Sequence, residues 1–444
     1  MRDLLRCRRG SVAFATVIAL VPLIGAVALG AEAGSWYVTK QHAQNAADAA
    51  AYSGGLWLAC SLSPTACIVP DPQSMDYRGK QFASQNAFCN TGDGTAYPGR
   101  RCITLASGTT QSVTITPQGT DAVKATVFQT QPAYLAKLLG LSSVTIGATA
   151  TAQVKILANP CVLSLSDPLA FQGSTTVQAQ KCGLSSNNRQ SNSLNFTGNG
   201  LDVSKAGTIS GQGDCHDNGG GQCSKAITFA PPVPDPLSGL NAAMSTLTLA
   251  SFTSKCPSAG NPAPTAYGPT TKCVNDAFTF KNNGGPTGNG NYPLNGVYFF
   301  SGKLTIQSST ITGTATLILL PGASLTITGN PQIQITALAT VSSTQVPAAL
   351  ASTSVLNLMS KLLIYDPEIT TNNKSVTISG NSSSYFNGIT YAPNADVVYQ
   401  GSTQSYTCVE VIAKGITLSG NSNFDNSGCP ASGKIQSQIV RLVQ

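Results

Sequence analysis

Leu325-Thr326-Ile327-Thr328-Gly329-Asn330 alternates two apolar residues with threonine and then ends on Gly-Asn. A period of two puts Leu325 and Ile327 on one face of a strand and the threonines on the other. Gly and Asn tolerate positive φ, so the chain can turn a sharp corner directly after the strand. The same form, apolar-x-apolar-(Ser/Thr)-Gly-Asn, recurs at Leu194–Asn199, Val376–Asn381 and Ile416–Asn421. Lys303 to Gln307 and Thr314 to Leu320 read as related strands without the Gly-Asn corner. Recurrent short strands with corner turns predict a parallel β-solenoid, each coil burying its apolar face on the next. An antiparallel β-sandwich is the alternative, because it also uses short strands and glycine turns.

The composition agrees with a coil-on-coil architecture. Only 10% of the 444 residues are charged, against about 25% in ordinary soluble domains. The surface must therefore be built from Ser, Thr, Asn, Gln and Gly. The β-repeat divides into residues 159–229 and a longer solenoid-like stretch, 294–430. Between them, residues 230–293 are rich in Pro, Gly and Asn and read as an insertion or linker. Residues 347–363 read as a short apolar helix docked on the β-structure, and 431–444 as a C-terminal tail.

Upstream of the repeats the pattern is different. Met75 to Phe88 reads as a helix, and Gln111 to Thr116 and Asp121 to Thr130 as alternating strands. Pro132 to Leu139 reads as a short helix stopped by Gly140, and Val144 to Val154 as a further strand. Together with the helix that precedes them, residues 32–158 make a small α+β module.

Ser11 to Ala31 is an uncharged run of 21 residues. As a helix it spans about 31 Å at about 1.5 Å per residue, enough to cross the hydrocarbon core. Arg2, Arg6, Arg8 and Arg9 precede it and Glu32 follows. The positive-inside rule then puts residues 1–10 in the cytoplasm as a short tail, 11–31 in the inner membrane, and the rest in the periplasm or at the cell surface. A cleaved signal peptide is the competing reading, but its apolar region is usually only about 7–15 residues. Beyond the membrane the helix is expected to continue through the alanine-rich segment around Asp48 as a stalk, as far as Gly54-Gly55. Trp36 and Tyr37 fall where an interfacial aromatic belt would sit.

Of 13 cysteines, only Cys7 lies on the cytoplasmic side of this topology. The other twelve fall as close neighbours: Cys60 and Cys67, Cys89 and Cys102, Cys161 and Cys182, Cys215 and Cys223, Cys256 and Cys273, Cys408 and Cys429. Six local disulfides, formed in an oxidising compartment, are the simplest reading. No metal is expected. There is no CxxC, the only histidines are His42 and His216, and Asp214-Cys215-His216-Asp217 reads as a disulfide-closed turn.

No catalytic fingerprint appears, and no cofactor is implied. An enzyme would have to rest on carboxylates such as Asp366, Glu368, Asp396, Glu410 and Asp425, two of which at about 5–9 Å could hydrolyse a glycoside. Five acids in this stretch are unremarkable in number, and the chain is expected not to be an enzyme. Tyr385, Phe386, Tyr391, Tyr399 and Tyr406 could stack on sugars if exposed, which would suit an adhesin or carbohydrate-binding protein. The simpler expectation is that they pack the solenoid. No Lys/Arg stripe with interleaved aromatics occurs, so nucleic acid is not an expected partner.

Arg8-Arg9-Gly10-Ser11-Val12-Ala13, the apolar span and Gln41 through Ala51 (QHAQNAADAAA) resemble the N-terminal module of TadG-like proteins, membrane-anchored components of the tight-adherence (Tad, or Flp) pilus assembly system. The later run Pro132 to Gly140 followed by Val144 to Ala150 looks like the end of that module. The von Willebrand factor A metal-site pentapeptide Asp-x-Ser-x-Ser, carried by many such proteins, does not occur here. The residue five positions after Gly10 is Ala15, where pilins of this system have Glu. The resemblance implies a permanently anchored assembly component, not a pilus subunit. Its expected partners are the lipid bilayer and other pilus-assembly or envelope proteins, to which it would present a disulfide-closed β-repeat arm.

Overall fold

The computed structural model describes residues 8–62, 71–102, 104–156, 159–257, 263–367, 376–379, 383–400, 407–430 and 438–443. They form two units, residues 1–155 with 438–444 and residues 156–437.

The first unit is built on one helix, α1 (Arg8–Leu62), which continues through Pro22. The half beyond the apolar run is not a solvated stalk. Ala43, Ala46, Ala47, Ala50 and Ala51 are buried, at the three- and four-residue spacing that makes one helix face. They pack on a sheet whose strands are β1 (Thr110–Gln118), β2 (Ala122–Pro132) and β3 (Ser143–Ile156), hydrogen-bonded in that order. Adjacent strands here are antiparallel, and Val113, Ile115, Val123, Ala125, Val127, Ala148, Ala150 and Ala152 supply the buried face. A second helix, α2 (Met75–Gln85), starts where the Ser74 side chain accepts a hydrogen bond from the Tyr77 N–H and packs beside α1.

Gly54-Gly55 does not stop α1, which runs on to Leu62. The glycines are there for proximity. A Cβ on Gly54 would lie 2.9 Å from Val123 Cγ1, and one on Gly55 would lie 2.7 Å from Val440 Cγ1 and 3.0 Å from Ala152 Cβ. Packing on the sheet outweighs the roughly 1 kcal/mol that a mid-helix glycine costs.

Val440 belongs to the terminal strand Gln438–Val443, which hydrogen-bonds beside β3 as the fourth strand of this sheet. The expected C-terminal tail is therefore, over these residues, part of the N-terminal module. Ile439 and Val440 are buried, and Gln438 Nε2 donates to the Ala59 carbonyl at 2.8 Å.

The second unit is a parallel β-solenoid. Its first strands are β4 (Pro160–Ser164), β5 (Leu169–Ser186), β6 (Leu194–Phe196), β7 (Asp202–Gly211), β8 (Cys215–Asp217) and β9 (Ala226–Ile227). After a connection carrying α3 (Ser238–Met244), β10 (Ser254–Lys255) and β11 (Cys273–Val274), the chain builds β12 (Phe278–Lys281), β13 (Asn291–Phe300), β14 (Lys303–Gln307), β15 (Thr310–Leu319), β16 (Ser324–Thr328) and β17 (Gln332–Thr336). It then forms the helix α4 (Thr353–Leu358) and β18 (Leu362–Tyr365), β19 (Val376–Ser379), β20 (Tyr385–Gln400) and β21 (Val409–Asn423).

Like stacks on like from coil to coil. Leu304 pairs with Leu325 and Ile306 with Ile327, while Ile311 pairs with Ile333. Phe171 lies over Phe196 with ring centroids 4.5 Å apart. Burying one such face on the next removes a Leu, Ile or Phe from water at about 1.5–3 kcal/mol each. The parallel pairing decides against the sandwich.

The Gly-Asn corners work in two ways. Gly329 and Gly420 take positive φ, 74° and 68°. Gly198 does not; a Cβ there would meet the Gly173 carbonyl oxygen at 2.1 Å, so close backbone approach demands the glycine. Gly380 and Asn381 lie outside the described residues.

The coils do not stack in chain order. The long sheet runs β13-β15-β17-β20-β21-β4-β5-β6-β8, so the last strand formed, β21, pairs in parallel with β4 and β5, the first. The two repeat regions read from the sequence are one continuous solenoid. The described residues of the intervening stretch 230–293 are not a loose linker either. Val233, Leu237, Leu240, Met244, Leu247, Phe252 and Tyr267 are buried in a second core against Phe299, Ile318, Leu362 and Ile412. Proline and glycine keep this segment irregular, but its apolar residues cover the solenoid. Side-chain hydrogen bonds that fasten it include Tyr391 Oη to Asp235 Oδ2 at 2.7 Å, Tyr365 Oη to Asn241 Oδ1 at 2.8 Å, and Asn187 Nδ2 to the Val233 carbonyl at 2.7 Å. In place of the single helix expected over 347–363, there is a 3₁₀ turn, Ala348–Leu350, and then α4.

Candidate membrane-proximal site

The apolar half of α1 carries Val17, Leu20, Val21, Leu23, Ile24 and Val27 as exposed side chains. By length and composition the helix is able to cross a membrane. Glu32 follows directly on the apolar run, and its carboxylate has a specific task. Oε1 accepts the Tyr134 N–H at 2.6 Å, and Oε2 accepts the Leu135 and Ala136 N–H groups at 3.0 and 2.9 Å. These amides open the 3₁₀ turn Ala136–Leu139, where N–H groups lack partners within the turn and the local dipole favours an anion. Gly140, at φ 92°, ends the turn as expected from the sequence, and the Ala133 N–H donates to the Ser142 carbonyl across its base.

From this point α1 and β3 climb side by side. Lys40 Nζ donates to the Gly147 carbonyl, and Gln44 Nε2 to the Thr149 carbonyl at 3.5 Å. The β2–β3 connection is thus the part of the sheet nearest to the apolar run. In the sequence Glu32 marks only the end of that run; nothing local reveals its partners a hundred residues away.

Partial burial works to raise the Glu32 pKa, but the three backbone N–H groups outweigh it and hold the carboxyl below its ordinary value. A depressed acid stabilises the fold above its unfolded pKa, and the contribution is lost as pH falls through the lower folded value. The contact therefore survives acidification through the ordinary glutamate range. Glu32→Ala is expected to raise amide exchange at Tyr134, Leu135 and Ala136 on the order of tenfold. Hydrogen-exchange mass spectrometry reads this directly, and unchanged exchange would show that the carboxylate does not hold the turn.

The cysteines lie where their spacing suggested. Disulfides join Cys89–Cys102, Cys161–Cys182, Cys215–Cys223, Cys256–Cys273 and Cys408–Cys429, with Cα–Cα distances of 4.8–6.0 Å. For the sixth pair, Cys60 ends in a disulfide-bonded state, and Cys67 lies outside the described residues. In the loop closed by Cys215–Cys223, Asp217 accepts the N–H groups of Gly219, Gly220, Gln222 and Cys223. Burial opposes ionisation of Asp217, but these donors hold its carboxyl below its ordinary value. His216 and His42 are exposed.

The carboxylates considered for chemistry are differently placed. Asp366 and Glu410 are buried at 1% and 0% exposure. Asp425 is nearly buried and pairs with Lys181 Nζ at 3.0 Å. Glu368 lies outside the described residues. Asp396 sits beside Asp167, which pairs with Lys414 Nζ at 2.9 Å. Burial raises the Asp396 carboxyl, Lys414 lowers it, and the negative Asp167 raises it again. Asp167 was not legible as a member of this group, because only the stacking of β21 on β4 brings it to Asp396. The aromatics are interior. Phe386, Tyr391 and Tyr399 are at most 2% exposed, and Tyr399 packs between Phe386 and Phe424 at 6.3 and 5.2 Å. They cannot form a stacking platform for sugars; Tyr385 is half-buried and Tyr406 lies outside the described residues.

Residues 10–56 match a family model described as putative Flp pilus-assembly TadE/G-like. The match begins just before the apolar run and ends in the part of α1 that packs on the sheet. No curated protein and no solved structure matches the chain.

Proposed function

We propose that the chain is a membrane-anchored structural component of a Tad-type pilus assembly apparatus. Residues 11–31 hold it in the inner membrane, the N-terminus faces the cytoplasm, and the β-solenoid is presented on the other side. The observation that carries this reading is the family match over residues 10–56, which falls on one helix that is a membrane-crossing candidate in its first half and the core of the α+β module in its second. The arginines before the apolar run and the disulfides after it support the same orientation. The role is structural and not catalytic, and its partners are other proteins of the assembly apparatus. Deleting the gene in its own cell is expected to abolish surface pili and adherence, with both restored by the intact gene. Wild-type piliation in the deletion strain would overturn the proposal.

A further inference from the structure

Tyr134, Leu138 and Leu141 are 69%, 85% and 49% exposed, although they lie within eight residues of one short turn. Single exposed apolar side chains are common, but a cluster on a polar, charge-poor protein calls for an occupant. The Glu32 carboxylate holds this turn by three backbone amides. Glu32 is the first residue past the apolar run of α1, so the turn lies at the depth where that run ends. The interfacial zone of a bilayer extends about 5–7 Å beyond the hydrocarbon on each side, and a turn hydrogen-bonded to Glu32 falls within it.

We propose that the Tyr134–Leu141 turn is an interfacial wedge that inserts Tyr134, Leu138 and Leu141 into the lipid surface on the side of the membrane that carries the folded body. This rests on the reading of α1 as the membrane anchor. The chemistry suits that depth. Tyr134 has an apolar ring with a polar tip, as favoured in the headgroup region, and the leucines reach the acyl boundary. Lys137, exposed on the same turn, can extend its ammonium to lipid phosphates. The wedge and α1 then give the α+β module two points on the membrane. With one helix alone, the module could swivel about the helix axis; with two points it cannot tilt or rotate freely.

The test uses the full-length protein reconstituted in phosphatidylcholine/phosphatidylglycerol vesicles, with or without bromine near the carbonyl end of the acyl chains. Trp36 and Trp57 are replaced by phenylalanine, and a single tryptophan is introduced as Leu138→Trp or, independently, as Tyr134→Trp. Both sites are exposed, so neither change crowds the core. Ile24→Trp in the same background reports the anchor, and a protein retaining only Trp57, about 37 Å further along α1 than Glu32, reports the body. Bromolipid is expected to reduce emission about twofold at positions 134 and 138 and strongly at 24, and to leave Trp57 unchanged. Quenching at 24 alone would overturn the wedge and leave the anchor standing, the turn then facing water or a protein partner. Quenching at none of these sites would overturn both.

Discussion

Tyr391→Ala is expected to destabilise the solenoid by about 4 kcal/mol, in the range for deleting a buried aromatic ring. Tyr391 is fully buried, lies 5.8 Å from Tyr365 centroid to centroid, and bridges the coils to the covering segment through Asp235. Tyr391→Phe keeps the ring and removes only the hydroxyl, for about 2 kcal/mol, because a largely buried carboxyl loses a donor. The two variants also differ in their response to pH. Burial raises the Asp235 carboxyl, while Tyr391 and the Leu237 N–H pull it back down. With the folded pKa above the unfolded one, the folded state binds more protons, so stability falls as pH rises through the carboxylate range. Tyr391→Phe removes a lowering partner and so steepens this fall. Urea-dependent pulse proteolysis of the full-length protein in detergent, at two pH values, measures both effects. Wild-type stability in Tyr391→Ala would place the ring outside the core and revive a surface role for it.

Ending the chain after Pro430 is expected to cost the α+β module about 3–5 kcal/mol. The truncation removes Ile439 and Val440, two buried side chains at about 1.5–3 kcal/mol each. It also removes a strand, leaving β3 as an unpaired edge. A true tail would change stability by no more than about 0.5 kcal/mol. The position of the damage is the sharper readout. Limited proteolysis should cut near Leu58–Ala59, where Gln438 holds the end of α1, and spare the disulfide-closed coils. Loss of resistance in the coils with the module unaffected would contradict the assignment of the terminal strand.

What could be read from the sequence was local. Alternation such as Leu325-Thr326-Ile327 specifies a strand and its buried face within five residues, and the strand formed where expected. Cysteine pairs lay close in sequence because a coil returns beside itself after about one turn, as Cys161 and Cys182 do on paired strands β4 and β5. What could not be read was the choice among equivalent partners. Nothing in Ile416-Thr417-Leu418 says that it stacks on Leu169–Phe171 and not on another coil, since every coil offers the same apolar face. The Asp167–Asp396 pair and the Tyr391–Asp235 bond depend on that choice, so they were hidden with it. Gly54-Gly55 misled for a related reason: a glycine that permits close packing and a glycine that stops a helix are the same letter. Gln438–Val443 carries too little pattern to announce a strand, and only the open edge of β3 makes it one.

The solenoid enters the chain after β3 and leaves it just before the terminal strand, which is the neighbour of β3. This connectivity sets an order of events. While the protein is being made, the sheet of the first unit can form only three of its strands; the fourth arrives some 280 residues later, after the whole solenoid has emerged. Stacking of β21 on β4 and β5 likewise waits for residues about 250 positions apart to meet, a long loop to close and a slow step in folding. Until then β3 presents an open edge, and Gly55 and Ala152 lack the cover of Val440. A chain that stops early therefore differs from a complete one in this sheet, at the end of α1 far from the apolar run, where the unpaired edge of β3 tells the two apart.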